Sequence, residues 1–244
     1  MIAHLIASLA ALFPDPADAI RGGALGLLLF VAAGTGAGKL RRMGWRDGDT
    51  RKIFHFAIFT TAALTRALLG IGAVSAYGAV VFLGVIVAVR RGEGDLVFEA
   101  LARQSDRPAR GLHVVLPLIA TALGGITTHL VGGPWSAAAL LVGGWGDAVG
   151  EPIGIRWGRR KYTVPSFGGV RSVRSIEGTT AVFAASWLAA IIGLTLIGVA
   201  PLAAIGAGLA TALAATAIES YSPHGTDNFT VMAIAALVLR LTLN

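Results

Sequence analysis

The chain of 244 residues has no cysteine and few charged residues. Without cysteine, it has no disulfide bond, no thiolate zinc site and no cysteine nucleophile. Charged residues make up 14% of the sequence, whereas ordinary soluble domains contain about 25%. Hydrophobic residues make up 55%, and the mean hydropathy is +0.74. This composition excludes an ordinary soluble globular domain and a disordered chain.

Three long segments are almost free of charge. Residues 53–89 contain Arg66 alone, and residues 111–146 and 178–218 contain no charged residue. Because a helix needs about 20 apolar residues to cross a bilayer, each segment is long enough for two crossings. Each also has glycine or proline near its middle, at 70–72, 132–134 and 198–201, where these residues favour turns. The pattern predicts three helical hairpins.

Two single spans are predicted outside the hairpins, at about 20–38 and 228–243. The fold class is therefore an all-α, polytopic integral membrane protein with about eight transmembrane helices, arranged largely as hairpins. The apolar residues 1–13 are too short to span, and they lack the basic residues that begin a signal peptide. We predict an interfacial segment over residues 1–19 and one polytopic membrane domain over residues 20–244, which would carry the active site.

Basic residues fix the predicted orientation. In an eight-span arrangement, all of the 20 lysines and arginines except Arg21, Arg66 and Arg240 fall in loops on one side. Loops rich in lysine and arginine stay in the cytoplasm, so both termini are predicted outside. This topology accounts for most of the net charge of +7. No nucleic-acid partner is expected, because no binding motif accompanies the charge.

The same topology brings acidic side chains to the cytoplasmic ends of the spans. His55 lies one turn into the second span, after Arg51 and Lys52. Ionisable residues in membrane helices are costly and usually functional, so their convergence predicts an active site at the cytoplasmic face. The acids that begin or end spans are Asp147, Glu177, Glu219 and Asp227, with Asn228 beside the last.

These residue types indicate phosphate chemistry. Carboxylates suit Mg²⁺ that also holds substrate phosphates. Residues 171–180 combine arginine, serine, threonine and glycine immediately before a span, and such groups at a helix start bind phosphate. The combination predicts a magnesium-dependent reaction of a nucleotide with a lipid head group, in which positioning and charge neutralisation do most of the work.

Simpler interpretations remain open for each residue. Arg51 and Lys52 also fit positive-inside anchors, and His55 an interfacial histidine. Asp147 also fits the partner of a loop arginine, and Glu177 a first-turn acid favoured by the helix dipole. A lipid-binding or transport protein without chemistry is a further alternative, although a transporter should place its ionisable groups near the bilayer midplane.

Four segments in order resemble the polyprenol kinase family, which includes phytol, farnesol and dolichol kinases and CTP-dependent diacylglycerol kinases. That family is itself similar to the CDP-diacylglycerol synthases. Arg174 stands where lysine is usual in the family, Glu151-Pro152 replaces small residues of many members, and Val164–Val173 lengthens one loop. The four segments are Arg51-Lys52-Ile53-Phe54-His55, Gly146 to Lys161, Arg174 to Thr179, and Glu219 with Asp227-Asn228-Phe229-Thr230-Val231.

The resemblance implies transfer of the γ-phosphate of CTP, or less often of another nucleotide, to an isoprenoid alcohol or to diacylglycerol. The alcohol would be phytol, geranylgeraniol, farnesol or a longer polyprenol. A cytidylyltransferase that forms a CDP-lipid would use similar groups and is the alternative reaction. The implied partners are thus a nucleotide, a lipid alcohol and membrane lipids.

The resemblance also assigns roles to residues. Mg²⁺ would be held by Asp147 with help from Glu177, Glu219 or Asp227, and the general base is open among Asp147, Glu219 and Asp227. Arg51, Lys52 and His55 would hold phosphate or orient the alcohol. The implied triphosphate site consists of Lys161, Arg171, Arg174, Ser175, Gly178 and Thr179, and Asn228 completes the metal or nucleotide shell.

Overall fold

The computed structural model describes residues 2–166, 172–223 and 225–244. Short 3-10 turns occupy Gln104–Asp106 and Gly133–Trp135. The helices are α1 (Ile2–Ala10), α2 (Pro16–Arg42), α3 (Asp47–Leu69), α4 (Ile71–Arg91), α5 (Leu96–Leu101), α6 (Leu112–Gly132), α7 (Ser136–Trp157), α8 (Ile176–Leu196), α9 (Pro201–Tyr221) and α10 (Asp227–Leu243), and the strands are β1 (Lys161–Val164) and β2 (Ser172–Ser175).

The predicted all-α, polytopic membrane fold is confirmed, whereas the count of eight spans stays a prediction. Each predicted span corresponds to one long helix, from α2 through α4 and from α6 through α10. Six helical segments of the described chain are long and apolar enough to cross a membrane, and one of them, Leu112–Trp157, contains both α6 and α7. Helix α10 has only 17 residues, so the last predicted span is also the shortest long helix.

The hairpin turns lie where glycine and proline predicted them. Gly70 separates α3 from α4 with φ of 96°, and Gly198 follows α8 with φ of 89°. Residues that have a Cβ atom rarely adopt these backbone angles, so glycine allows the chain to reverse direction there. The turn between α6 and α7 is the 3-10 segment Gly133–Trp135.

Small residues bring the long helices close together. A Cβ added to Gly26 of α2 would lie 2.8 Å from the carbonyl oxygen of Tyr77 in α4. A Cβ added to Gly193 of α8 would lie 2.6 Å from Cα of Ala138 in α7. Without water to drive apolar association, membrane helices depend on such close packing. The abundant glycine in the sequence is therefore in part a packing feature.

Two short elements were not predicted, because sequence analysis treated their segments only as basic loops. Helix α5 begins after Asp95, whose side chain accepts hydrogen bonds from the amides of Val97 and Phe98. Strands β1 and β2 form an antiparallel hairpin in which Tyr162 pairs with Arg174. Their β-branched and aromatic residues favour strands, but four-residue strands are too short to stand out from a loop in sequence.

The charged ends of the long helices meet at one end of the bundle, called here the polar end. It comprises the starts of α3, α8 and α10, the ends of α7 and α9, and the hairpin β1–β2. At the opposite end, α1 touches the bundle, where Nε2 of His129 lies 2.9 Å from the carbonyl oxygen of Ser8. The membrane side faced by the polar end and the interfacial role of residues 1–19 stay predictions.

Candidate active site at the polar end

A cavity of about 520 Å³ opens at the polar end and is called here the polar cavity. Helices α3, α7, α8, α9 and α10 and both strands contribute residues to its lining. The structure thus brings together most of the residues selected from sequence. Those that line the polar cavity are Arg51, Lys52, Asp147, Lys161, Arg174, Ser175, Gly178, Thr179, Glu219 and Asp227.

Lys52 links α3 to two carboxylates of α7. Its Nζ lies 2.7 Å from Oδ1 of Asp147 and 3.5 Å from Oε2 of Glu151. Asp147 and Glu151 are four residues apart and face the same partner, as helical geometry requires. The side chain of Lys52 is only 7% exposed, whereas an anchoring lysine extends its ammonium group into water. Lys52 is therefore part of the site and not a plain anchor.

His55 lies next to Asp147 but does not line the polar cavity. Its Nε2 is 3.5 Å from Oδ2 of Asp147, and its ring stacks on Phe59 at a centroid distance of 4.3 Å. Within the described residues, this buried Nε2 has no hydrogen-bond partner. The contact with Asp147 therefore leaves the hydrogen-bonding capacity of this ring nitrogen unfilled.

Arg174 joins α9 to α10 through two carboxylates. Its Nε lies 3.1 Å from Oε1 of Glu219, and its Nη2 lies 3.0 Å from Oδ2 of Asp227. A planar guanidinium contacts two acceptors at once, which a lysine ammonium on its flexible stem does less well. The arginine that departs from the family pattern thus has a geometric reason in this chain.

Three buried polar atoms in residues that line the polar cavity lack hydrogen-bond partners in the described chain. They are Nη1 of Arg51, Nη1 of Arg174 and Oε2 of Glu219. Buried polar atoms in proteins are nearly always paired, so each exception calls for a ligand or ordered water. The arginine nitrogens suit an anion, and the carboxylate oxygen suits a cation.

Six basic and five acidic residues line the polar cavity, which leaves it a net charge of +1. Arg46, Arg51 and Lys161 line it and form no ion pair with the described acidic residues. The other basic lining residues, Lys52, Arg103 and Arg174, are each matched by carboxylates. A polyanion such as a triphosphate would complete this charge arrangement.

The carboxylates fit a partial magnesium site. Among described residues, no group of three or more histidines and acids is placed to hold a metal ion by itself. Mg²⁺, however, usually takes one or two carboxylates and fills its shell with water and substrate phosphates. Glu219 has an unpartnered oxygen, and Asp227 shares Arg174 with it. Magnesium binding itself stays a prediction.

Besides His55, two residues selected from sequence lie at the polar end but not in the cavity lining. Oε2 of Glu177 accepts hydrogen bonds from the amides of Arg159 and Arg160, at 3.0 and 3.3 Å. Nδ2 of Asn228 donates to Oγ1 of Thr121 at 2.7 Å and so ties α10 to α6. These contacts give both side chains partners within the protein, and their roles in holding metal or nucleotide stay predictions. Arg171 lies outside the described residues.

The start of α8 at Ser175 contributes both to helix packing and to the lining of the polar cavity. Oγ of Ser175 accepts a hydrogen bond of 3.1 Å from the amide of Gly178, so this amide is already used by the cap. A Cβ at Gly178 would lie 2.8 Å from the carbonyl oxygen of Gly150. Gly178 thus serves close contact between α7 and α8, and its role in a phosphate cradle stays a prediction. The hydroxyl groups of Thr179 and Tyr162 are 2.6 Å apart.

Sequence analysis missed Arg46 and Arg103 as lining residues. Nη1 of Arg103 lies 2.8 Å from Oε1 of Glu151, and its Nε lies 3.1 Å from Oδ2 of Asp106. Burial lowers the pKa of Arg103, but the charges of Glu151 and Asp106 more than offset it and raise that pKa above its usual value. Because Glu151 is 48 positions away, no local pattern could reveal the contact.

The fold and the polar cavity define a multi-pass membrane protein with a charged site suited to phosphate at one end of its bundle. Over 105 residues, the chain is 35% identical to phytol kinase of Synechocystis sp.. This segment covers 43% of the chain and 42% of the relative, so the match spans less than half of the relative's own length. No protein-family model and no solved structure matches the chain.

Proposed function

We propose that this protein is a prenol-type lipid kinase that transfers the γ-phosphate of CTP to an isoprenoid alcohol. The polar cavity carries the proposal, because it combines unpaired arginine nitrogens with an unpaired carboxylate oxygen at the end of a membrane bundle. The relative named phytol kinase supports an isoprenoid alcohol as the acceptor. The four motif segments support CTP as the donor.

The basic residues bind the nucleotide in this proposal. Arg46, Arg51 and Lys161 neutralise the triphosphate oxygens, and Arg51 offers its free Nη1. Arg174 holds Glu219 and Asp227 in place. When bound by these two carboxylates, Mg²⁺ supplies further charge neutralisation on the transferring phosphoryl group.

Asp147 is the proposed general base. Lys52 fixes its Oδ1, which leaves Oδ2, on the side of His55, to accept the proton of the acceptor hydroxyl. The alcohol oxygen then forms a bond to the γ-phosphorus as the bond from that phosphorus to the β-phosphate oxygen breaks, and CDP leaves. The positively charged loops support a proposed location of this reaction at the cytoplasmic face of the inner membrane, with both termini outside.

A label-transfer assay tests the proposal. The purified full chain is incubated with Mg²⁺ and with CTP labelled at either the γ- or the α-phosphate. The acceptors are phytol, farnesol, geranylgeraniol, a longer polyprenol, diacylglycerol and phosphatidic acid. We expect γ-label, and no α-label, in an isoprenoid alcohol.

Each other result selects an alternative. Transfer of α-label to phosphatidic acid would identify a cytidylyltransferase and overturn the kinase. Transfer from γ-labelled ATP alone would keep the kinase and replace the donor. Lipid binding without any transfer from either nucleotide would support a binding or transport protein.

A further inference from the structure

A second cavity, of about 350 Å³, lies between α3, α4 and α6 and is called here the apolar cavity. Its lining extends from Ile58 to Arg66 along α3 and from Leu118 to His129 along α6. At 1.5 Å per residue, these stretches run about 12 and 16 Å along the bundle. Apart from His129, Arg66 is the only acidic or basic residue among the described residues that line the apolar cavity.

One end of the apolar cavity reaches the proposed reaction site. Phe59 lines the apolar cavity and stacks on His55, which lies 3.5 Å from Asp147. Thr121 also lines it and accepts a hydrogen bond from Asn228, the neighbour of Asp227. At two points, therefore, one side chain, that of His55 or Asn228, lies between a residue that lines the apolar cavity and a residue that lines the polar cavity.

The other end of the apolar cavity is bounded by two side chains held in place. Nη2 of Arg66 donates to the carbonyl oxygen of Gly133 at 3.1 Å. Nε2 of His129 lies 2.9 Å from the carbonyl oxygen of Ser8. Backbone groups fix both side chains, which bound the apolar cavity at this end.

The apolar cavity also opens sideways. Gly78 and Ala79 of α4 and Ala122 of α6 line it and are exposed on the outer surface of the bundle. In a bilayer, that surface faces lipid, and these residues are too small to block the space between the helices. A lipid chain therefore has a route from the membrane into the cavity.

We infer that the apolar cavity binds the isoprenoid chain of the acceptor alcohol, which enters between α4 and α6 and places its hydroxyl at His55 and Asp147. This inference rests on the proposed function. The unpartnered Nε2 of His55 provides a hydrogen-bond site for that hydroxyl. A single cavity bounded at one end suits one chain of limited length, rather than the two chains of diacylglycerol.

Two glycines allow a direct test by filling the cavity. A Cβ built on Gly78 or Gly125 meets no atom within 4 Å, and both residues line the apolar cavity. The Cβ of a leucine at either position therefore meets no protein atom, and its side chain takes up space at the cavity. Gly206 of α9 also has free space around its Cβ and lies outside the apolar cavity, so Gly206→Leu is the matched control.

The experiment compares kcat/KM for geraniol, farnesol and geranylgeraniol, which have two, three and four isoprene units. For Gly78→Leu and Gly125→Leu, we expect kcat/KM for geranylgeraniol to fall at least about tenfold relative to geraniol, since a single methylene in an apolar pocket already changes selectivity about 10–200-fold. Gly206→Leu should leave the ratio unchanged. An equal effect at all lengths, or no effect in either cavity variant, would overturn the inference.

A second measurement separates the inference from the proposed function. Geranylgeraniol without nucleotide should raise the unfolding temperature of the wild type and of Gly206→Leu, because a ligand that binds the native state stabilises it. It should not do so for Gly125→Leu. Such selective stabilisation without phosphoryl transfer would reject the kinase and keep the cavity assignment. Equal stabilisation of all variants, or stabilisation by diacylglycerol alone, would reject the assignment even in an active kinase.

Discussion

Nζ of Lys52 lies 2.7 Å from Oδ1 of Asp147, and this contact joins α3 to α7 across 95 positions of sequence. Both side chains are largely buried, with exposures of 7% and 16%. Breaking such a pair leaves an uncompensated charge, which is more costly than never having had the pair. The contact is therefore a structural link that also places an ammonium group beside the carboxylate of Asp147.

The first prediction concerns this link. Lys52→Met should destabilise the protein, and Asp147→Asn should relieve part of that loss in the double variant, because no buried carboxylate is then left unpaired. We expect a coupling free energy of about 1–3 kcal/mol from a double-mutant cycle of unfolding in detergent. Additive effects of the two substitutions would contradict a direct contact.

The second prediction separates two glutamates at the polar end. Glu219→Gln should lower phosphoryl transfer by about 10²–10³-fold, similar to the effect of removing one preorganised group that stabilises transition-state charge. It should also raise the Mg²⁺ concentration needed for half-maximal rate. Glu177→Gln is the control, because its side chain binds the amides of Arg159 and Arg160, and it should change the rate only a few-fold. Similar losses in both variants would reject the assignment of Glu219.

The third prediction uses the two-carboxylate contact of Arg174. In Arg174→Lys, one ammonium group replaces the guanidinium group that contacts both Glu219 and Asp227. One of the two carboxylates therefore loses its partner. We expect KM for CTP to rise about tenfold, measured against Arg156→Lys. Arg156 contacts Asp49 on an exposed part of the surface and lies outside the polar cavity lining. An unchanged KM in Arg174→Lys would mean that the fork does not position the nucleotide site.

The fourth prediction tests packing at the start of α8. Gly178→Ala would place a Cβ 2.8 Å from the carbonyl oxygen of Gly150, so overpacking should destabilise the protein by about 1–3 kcal/mol. Gly206→Ala, in free space on α9, should be neutral or slightly stabilising, because alanine favours helix. Thermal unfolding of both variants in detergent measures the difference. A stable Gly178→Ala variant with reduced nucleotide affinity would instead support a role of Gly178 in binding phosphate.

The fifth prediction is a pH effect outside the membrane spans. Arg110 donates to both carboxylate oxygens of Glu99 and holds the pKa of Glu99 below its usual range. The resulting stability is present above the unfolded pKa of about 4.3, and it is lost as pH falls through the lower pKa of the folded state. In Glu99→Gln, the unfolding temperature should therefore decrease less steeply below about pH 4 than in the wild type. The same decrease in unfolding temperature in both proteins would show that the contact between Arg110 and Glu99 does not contribute to stability.

A feature of the site could be predicted from sequence only where it depends on residues close together in the chain. Charge-free segments located the helices, and the acids at their ends located the polar end, because crossing a membrane depends on composition over one segment. The side-chain partners were not readable in this way. Glu177 and Asn228 lie at the predicted end of the bundle, yet one binds nearby amides and the other binds α6.

The sequence alone thus determined the helical membrane fold, the hairpin turns and the end of the bundle at which charge collects. Each of these follows from apolar length, backbone preference and the cost of burying charge in lipid. The tertiary structure alone decided that Arg103 pairs with Glu151, that Arg174 holds two carboxylates, and that an apolar cavity lies beside His55. These contacts join residues far apart in the chain, and they exist only once the packing of the helices fixes the distances between side chains.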